Sequence, residues 1–316
     1  MRRIESGSTP YFVILSLLAT ILLSGCAQRQ SAPGAAPAPP AAAAAAKPIV
    51  VTSILPLTDW VKQIAGDAVE AYTLLPAGAS PHTYEPTPDA AEHAAAAKLL
   101  VVNGLGLDDW ARKLASNPQT RTLVLGDLVQ TMTQTFPDEP SEVGAADPHV
   151  FLDPVRAAQM LPALTDALIA LAPAQAVQMR ERSAAYQLQL QQFATKLAEA
   201  CKPYAGRHTV TFHNAYQYFL LRCGLPIAEV VEEFPGKEPS AEYLEKLGAK
   251  TRQEHLKVVY AEPQFSTKAA DVLAQAIGGQ VLMLDEVGNP DDPSRDSYLK
   301  LLQFDLDEIV KGMQVK

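Results

Sequence analysis

Residues 49–75 read IVVTSILPLTDWVKQIAGDAVEAYTLL, and this stretch decides the fold. Ile49 to Ile54 is a β-branched run that reads as a strand. Leu57 to Ile64 reads as a helix ending at Gly66, and Val69 to Leu75 as a second strand running into the turn Pro76-Ala77-Gly78. Strand, helix, strand in so short a span is a βαβ unit, which joins parallel strands. The pattern continues outward. Pro88 to Lys98 suits a helix, Leu99 to Val102 a strand, Asp108 to Ala115 a helix and Thr122 to Leu125 a strand.

The alternation then breaks. Gln134 to Asp147 is rich in Pro, Gly and Ser and carries Asp138, Glu139, Glu142 and Asp147, which reads as an exposed, solvated acidic loop. Pro154 to Leu171 looks helical. Pro173 opens a longer helix reaching about Cys201, with proline at an early position where its missing N–H costs nothing, and Pro203 follows its end. At about 1.5 Å per residue that helix spans about 40 Å, enough to bridge two lobes. Afterwards strands return at Thr209 to Phe212, Ile227 to Val231, Val258 to Ala261 and Val281 to Leu284. The helices among them are Ala215 to Cys223, Ser240 to Glu254, Thr267 to Ile277 and a closing Ser297 to Met313. The expected fold is α/β: two lobes with mostly parallel sheets joined by one long rigid helix. The N-terminal lobe takes residues 48–172, the linking helix 173–202 and the C-terminal lobe 203–316.

Composition excludes more than it identifies. An apolar share of 48% over 316 residues is ordinary for a folded protein, and a net charge of −9 argues against a nucleic-acid surface. The N-terminus is more telling. Arg2 and Arg3 precede an almost wholly apolar run from Tyr11 to Leu23, too short for a comfortable membrane span of about 20 residues. Residues 1–25 therefore read as a secretory signal. Leu23-Ser24-Gly25-Cys26 resembles the lipobox of bacterial lipoproteins, which makes Cys26 the acylated N-terminus of the mature chain. Residues 26–47, almost all alanine, proline, serine and glutamine, read as a tether. The chain is thus expected to be exported and lipid-anchored to the cell membrane or facing the periplasm. An oxidising compartment permits a disulfide between Cys201 and Cys223, but two plain buried cysteines fit the sequence as well.

Of six histidines, three keep unusual company. His82 lies in Gly78-Ala79-Ser80-Pro81-His82-Thr83-Tyr84-Glu85-Pro86, His149 in Asp147-Pro148-His149-Val150-Phe151-Leu152-Asp153-Pro154, and His213 in Phe212-His213-Asn214-Ala215-Tyr216. His82 and His213 lie at or just beyond predicted strand ends, as does Asp285. Open α/β sheets bind ligands beyond the carboxyl ends of their strands. His149, in a loop, can hang over the same crevice. Three imidazoles and one carboxylate suit a first-row divalent ion, although these spacings alone form no local metal motif.

Those segments, with Gln217-Tyr218-Phe219 after Tyr216 and with Ala261-Glu262-Pro263-Gln264-Phe265-Ser266, stand in the order of the motifs of the cluster A-I solute-binding proteins. These are the ZnuA-like and TroA-like zinc and manganese receptors of ABC importers, and the resemblance covers about Pro48 to Gly312. It implies that His82, His149, His213 and Asp285 are the metal ligands in an interlobe cleft, with small motions on metal release. It also implies delivery of the metal to an ABC permease by a monomeric protein that is not an enzyme. Manganese receptors of this family often carry glutamate at the third position; His213 there favours Zn2+, with Mn2+ the alternative. Departures are the absence of a histidine-rich loop, Phe151 in place of a common tryptophan and Asn214 in place of a common aspartate. Glu85, Asn214 and Glu262 are expected behind the ligands: Asn214 bearing on the orientation of His213, and Glu262 either bonding a ligand imidazole or capping the helix after Pro263. Histidine ligation predicts binding that weakens below about pH 6, near the free imidazole value. Two other classes compete: a zinc hydrolase with Glu262 or Asp285 as general base, and a surface adhesin.

Overall fold

A computed structural model describes residues 46–115, 117–134, 144–232 and 235–315. The signal segment, Cys26 and most of the tether lie outside the described residues, as does the acidic loop between 135 and 143. Four short strands form the first sheet: β1 (Ile49–Thr52), β2 (Glu70–Thr73), β3 (Leu99–Val102) and β4 (Arg121–Val124), in the order β2-β1-β3-β4 and all parallel. Helices α1 (Leu55–Ala65), α2 (Pro88–Ala96) and α3 (Asp109–Leu114) connect them. The second lobe repeats the plan. β5 (Thr209–Thr211), β6 (Ile227–Val230), β7 (Val258–Ala261) and β8 (Gln280–Met283) pair in parallel as β6-β5-β7-β8.

Between the lobes run α4 (Pro154–Leu171) and α5 (Ala176–Cys201); α6 (Gln217–Cys223), α7 (Ala241–Gln253), α8 (Lys268–Ile277) and α9 (Tyr298–Met313) complete the second lobe. Proline at the start and a side-chain cap fix two helix entries: Thr87 Oγ1 accepts from Ala90 N–H before α2, and Asp153 Oδ1 from Val155 N–H before α4. α5, about 39 Å long at 1.5 Å per residue, packs on α1 and α4 on one side and on α6 and α9 on the other. It starts three residues later than the expected linker, after a 3-10 turn at Pro173–Gln175. No helix of the described residues is long and apolar enough to cross a membrane.

Strand periodicity explains how the cores are divided. In the first sheet Val50, Leu99 and Val101 face inward, while Val51, Leu100 and Val102 face an outer cluster under α2 and α3. In the second, Val258, Tyr260 and Leu282 face inward, and Val210, Phe212 and Val259 meet α7 and α8 outside. The inward faces share one apolar core, running from Trp60 through Leu164 and Phe193 to Tyr298 and Leu306. At its centre Trp60 meets Tyr298 edge-on, with ring centroids 5.1 Å apart. The buried Asp59 carboxylate accepts from Tyr186 Oη at 2.9 Å and from Tyr298 N–H at 3.2 Å. Groups from α1, α5 and α9 thus close on one carboxylate, and Tyr298 Oη also donates to the Phe151 carbonyl. A wide hinge motion would have to open this shared core.

Candidate metal centre

The three predicted histidines come from a loop after β2, a 3-10 turn before α4 and the segment after β5. His82 sits on the loop after β2. Its backbone N–H reaches Ser80 Oγ, and Trp110 Nε1–H donates to the neighbouring Pro81 carbonyl at 2.9 Å. The adjoining Thr83 abuts Gly236 of the second lobe, which has φ +82°; a Cβ there would stand 2.9 Å from Thr83 Cγ2, so glycine is required by both backbone and space. His149 opens the 3-10 turn His149–Leu152 ahead of α4, and His213 stands two residues past the end of β5.

The three imidazoles converge. Ring centroids lie 5.2 Å apart for His82–His149, 5.2 Å for His82–His213 and 5.4 Å for His149–His213. Nε2 of His82 is 3.1 Å from Nε2 of His149. The carboxylate that joins them is Glu286, whose Oε2 lies 3.6 Å from His149 Nε2 and 3.9 Å from His213 Nε2. One donor atom from each of these four residues falls within 4.8 Å of all the others. A tetrahedral zinc with bonds of about 2.05 Å has ligand–ligand edges of roughly 3.4 Å, and the closest separations bracket that figure.

Asp285, which the resemblance implies as the fourth ligand, does not stand in this cluster. Its Oδ1 accepts from Gln264 Nε2 at 2.6 Å and from the backbone N–H groups of Val287 and Gly288. Its Oδ2 faces Arg295 Nε at 3.3 Å. With those donors the carboxylate braces the turn after β8, and the turn delivers the next side chain, Glu286, to the imidazoles.

Behind the imidazoles of His149 and His213 stand two buried carboxylates. His149 Nδ1 pairs with Asp147 Oδ1 at 2.9 Å, and His213 Nδ1 with Glu262 Oε1 at 2.8 Å. A carboxylate on Nδ1 holds the proton there and turns the Nε2 lone pair toward the centre. His213 Nε2 is fully buried without a hydrogen-bond partner, a polar atom awaiting a ligand. Glu262 thus pairs with the His213 imidazole. Asn214 is buried, and among the described residues neither end of its amide finds a hydrogen-bond partner, while Glu85 is exposed on the His82 loop.

Asp147 is the residue the sequence reading missed. It belongs to the acidic stretch but is wholly buried, with Gln134 at the other end of the stretch 8% exposed. Its signal was the Asp-Pro-His spacing, which lets one side chain reach both the N–H and Nδ1 of the histidine two residues on. Burial, and then the neighbouring imidazoles, push the His82 and His149 pKa values well below the usual imidazole value. Burial raises Asp147 to about 7 and Glu262 well above the usual carboxylate range, against the opposing backbone hydrogen bonds from His149 and His213. A dication at the centre would favour the ionised form of both.

Cys201 and Cys223 are joined in a disulfide, with Cα atoms 5.0 Å apart, tying the end of α5 to the end of α6.

Comparison with known proteins places this geometry. The curated zinc-binding lipoprotein AdcA of Streptococcus pneumoniae (strain ATCC BAA-255 / R6) is 25% identical over 307 residues, 93% of this chain and 59% of that protein, so the chain spans less than two thirds of its length. The high-affinity zinc uptake system protein ZnuA of Bacillus subtilis (strain 168) is 26% identical over 280 residues, covering 84% of this chain and 88% of that one. Among solved structures, FpvC of Pseudomonas aeruginosa in complex with Mn2+ superposes with a TM-score of 0.75 at 25% identity, over 85% of this chain and 99% of that one. The family model for ZnuA, zinc-uptake complex component A, periplasmic, matches residues 50–312. With that match running through both sheets, the long helix and all four converging side chains, the chain belongs to the ZnuA family.

Proposed function

We propose that this chain is an extracytoplasmic solute-binding protein that captures one divalent transition metal, zinc in preference to manganese, and delivers it to an ABC-type import permease. The observation that carries the reading is the convergence of three imidazoles and one carboxylate, three of the four residues fully buried, with donor atoms within 4.8 Å of one another. His82, His149, His213 and Glu286 are the proposed ligands. Three nitrogen donors and one oxygen favour zinc, since manganese prefers oxygen-rich, higher-coordinate sites. The zinc names of the AdcA and ZnuA relatives support that choice, while the manganese complex of FpvC keeps Mn2+ as the second reading.

Capture rather than catalysis follows from the donor count. Four protein donors close a tetrahedral site, whereas catalytic zinc keeps a position for water. Cys26 is the proposed acylation site, supported by its lipobox-like sequence and by the lipoprotein relative. A monomer tethered by residues 26–47, with lobes at 48–172 and 203–316 about a linker at 173–202, completes the reading.

Competition dialysis of metal-free protein from Lys47 onward, against equal zinc and manganese, tests it. One zinc per chain is expected, and Glu286→Gln should weaken it by about 10²–10³-fold, a quarter share of the roughly 10–16 kcal/mol available to a structural zinc site. Manganese retained against zinc would reverse the metal assignment. Full affinity in Glu286→Gln combined with loss in Asp285→Asn would return the fourth ligand to Asp285.

A further inference from the structure

The proposed ligands His149 and His213 belong to different lobes, and α6 touches the surroundings of both. It begins four residues after His213. From it, Tyr218 and Arg222 project one helical turn apart, on the same face. The buried Tyr218 hydroxyl accepts from Met132 N–H at 2.8 Å and donates to the Asp147 carbonyl at 2.9 Å. Met132 and Asp147 are themselves paired, Asp147 N–H to Met132 O at 2.7 Å, so the phenol closes the end of a small ribbon that also holds the Thr133–Ala146 bridge. Asp147 is the residue whose carboxylate takes both N–H and Nδ1 of His149.

On the other flank of the same segment, Arg222 makes a two-pronged ion pair with the buried Asp153, Nε to Oδ1 at 3.0 Å and Nη2 to Oδ2 at 2.9 Å. Asp153 caps α4 four residues after His149. Tyr218 therefore holds the chain two residues before His149 and Arg222 holds it four residues after.

We infer that Tyr218 and Arg222 are positioning residues for the metal centre, and that α6 is a splint setting the separation of the His149 and His213 donors across the two lobes. The inference rests on the metal-receptor reading above. Its physical content is that the phenol and guanidinium act through Asp147 and Asp153 on the direction of His149 Nε2, and touch no metal themselves. Groups placed behind a ligand in this way typically alter metal affinity by about 10–100-fold.

Tyr218→Phe keeps the ring under the Arg156 guanidinium, which lies 4.5 Å from its centroid, and removes only the hydroxyl. Arg222→Gln, at a side chain 37% exposed, supplies a second variant that leaves the core untouched. Zinc affinity by chelator competition, the visible spectrum of the Co2+-substituted protein and the melting temperature of the metal-free protein are read together. Each variant is expected to bind zinc about tenfold more weakly and to show altered Co2+ bands, with Arg222→Lys recovering part of the loss. In a His149→Ala background Tyr218→Phe should cost nothing further, because its effect travels through that imidazole. Parental affinity and Co2+ spectrum in both variants, with zinc bound by the parent, overturns this inference alone, as does a Tyr218→Phe loss that persists undiminished in His149→Ala. A parent that takes up no metal overturns the receptor reading and this inference with it.

Discussion

His149 and His213 lie on opposite lobes yet are held alike, each by a buried carboxylate on Nδ1, whereas His82 sits on an irregular loop and is only half-buried. Among the described residues no carboxylate is within hydrogen-bond distance of the His82 ring, whose Nε2 lies 3.1 Å from His149 Nε2. In the proposed site, two donors are therefore aimed before an ion arrives and the third completes the set. Side-chain ordering costs free energy, so a donor already aimed contributes more of its intrinsic bond strength than one that must be recruited. The largest expected effect follows. His149→Ala and His213→Ala should each weaken zinc binding by about 10²–10³-fold, and His82→Ala by distinctly less. Chelator competition on the three variants ranks them, and equal losses would erase the contrast between the aimed pair and the loop histidine.

A smaller effect separates the carboxylates from the rings they hold. Asp147→Asn and Glu262→Gln should weaken zinc by about 10–100-fold and leave the stoichiometry at one. Proton linkage sharpens the point. Metal binding needs neutral imidazoles and ionised carboxylates. The depressed His82 and His149 values leave those rings neutral at pH 7, so the loss of affinity expected near pH 6 from free imidazole moves lower for them. Burial raises Asp147 to about 7, so in the metal-free protein part of its population holds a proton near pH 7. Through Asp147 alone, zinc affinity should therefore rise about fivefold from pH 6 to pH 7 and flatten above, and the Asp147 proton leaves on binding, with Glu262, raised as well, adding to the release. Calorimetry in buffers of different ionisation enthalpy counts the proton. An Asp147→Asn protein with the parent's pH profile would assign the proton elsewhere.

The smallest expected effect on binding comes from the disulfide. Opening a 22-residue separation between Cys201 and Cys223 should cost about 3 kcal/mol of stability, seen as a lower melting temperature in reductant or in Cys223→Ser. Zinc affinity should change only a few-fold, since Tyr218 and Arg222 still hold α6 to the His149 segment.

Periodicity made the sheets and helices legible: every strand and α-helix read from residues 49–313 appears, with ends moved by a few residues. The three histidines were legible too, because proline-flanked or strand-end imidazoles in that order carry a family pattern. Asp285 and Glu286 were not separable from the sequence. Two acids in succession leave a strand facing opposite ways, and the choice between them depends on where Val287, Gly288 and Arg295 place their N–H groups. Asp147 escaped for a related reason. Its acidic neighbours suggested a solvated loop, whereas the Tyr218 hydroxyl, the ribbon with Met132 and the His149 N–H groups hold it in the interior.

One consequence of the shared core reaches beyond architecture. A receptor that closes a hinge on its cargo divides its binding free energy between grip and closure, and its apparent affinity is reduced by the fraction of molecules already closed. In the proposed receptor Asp59, Trp60 and Tyr298 join α1 to α9, contacts that closure about a hinge would have to break. Discrimination among ions then falls to donor chemistry and cavity dimensions alone. A change of metal preference in this scaffold is a matter of exchanging single side chains, without retuning a conformational equilibrium.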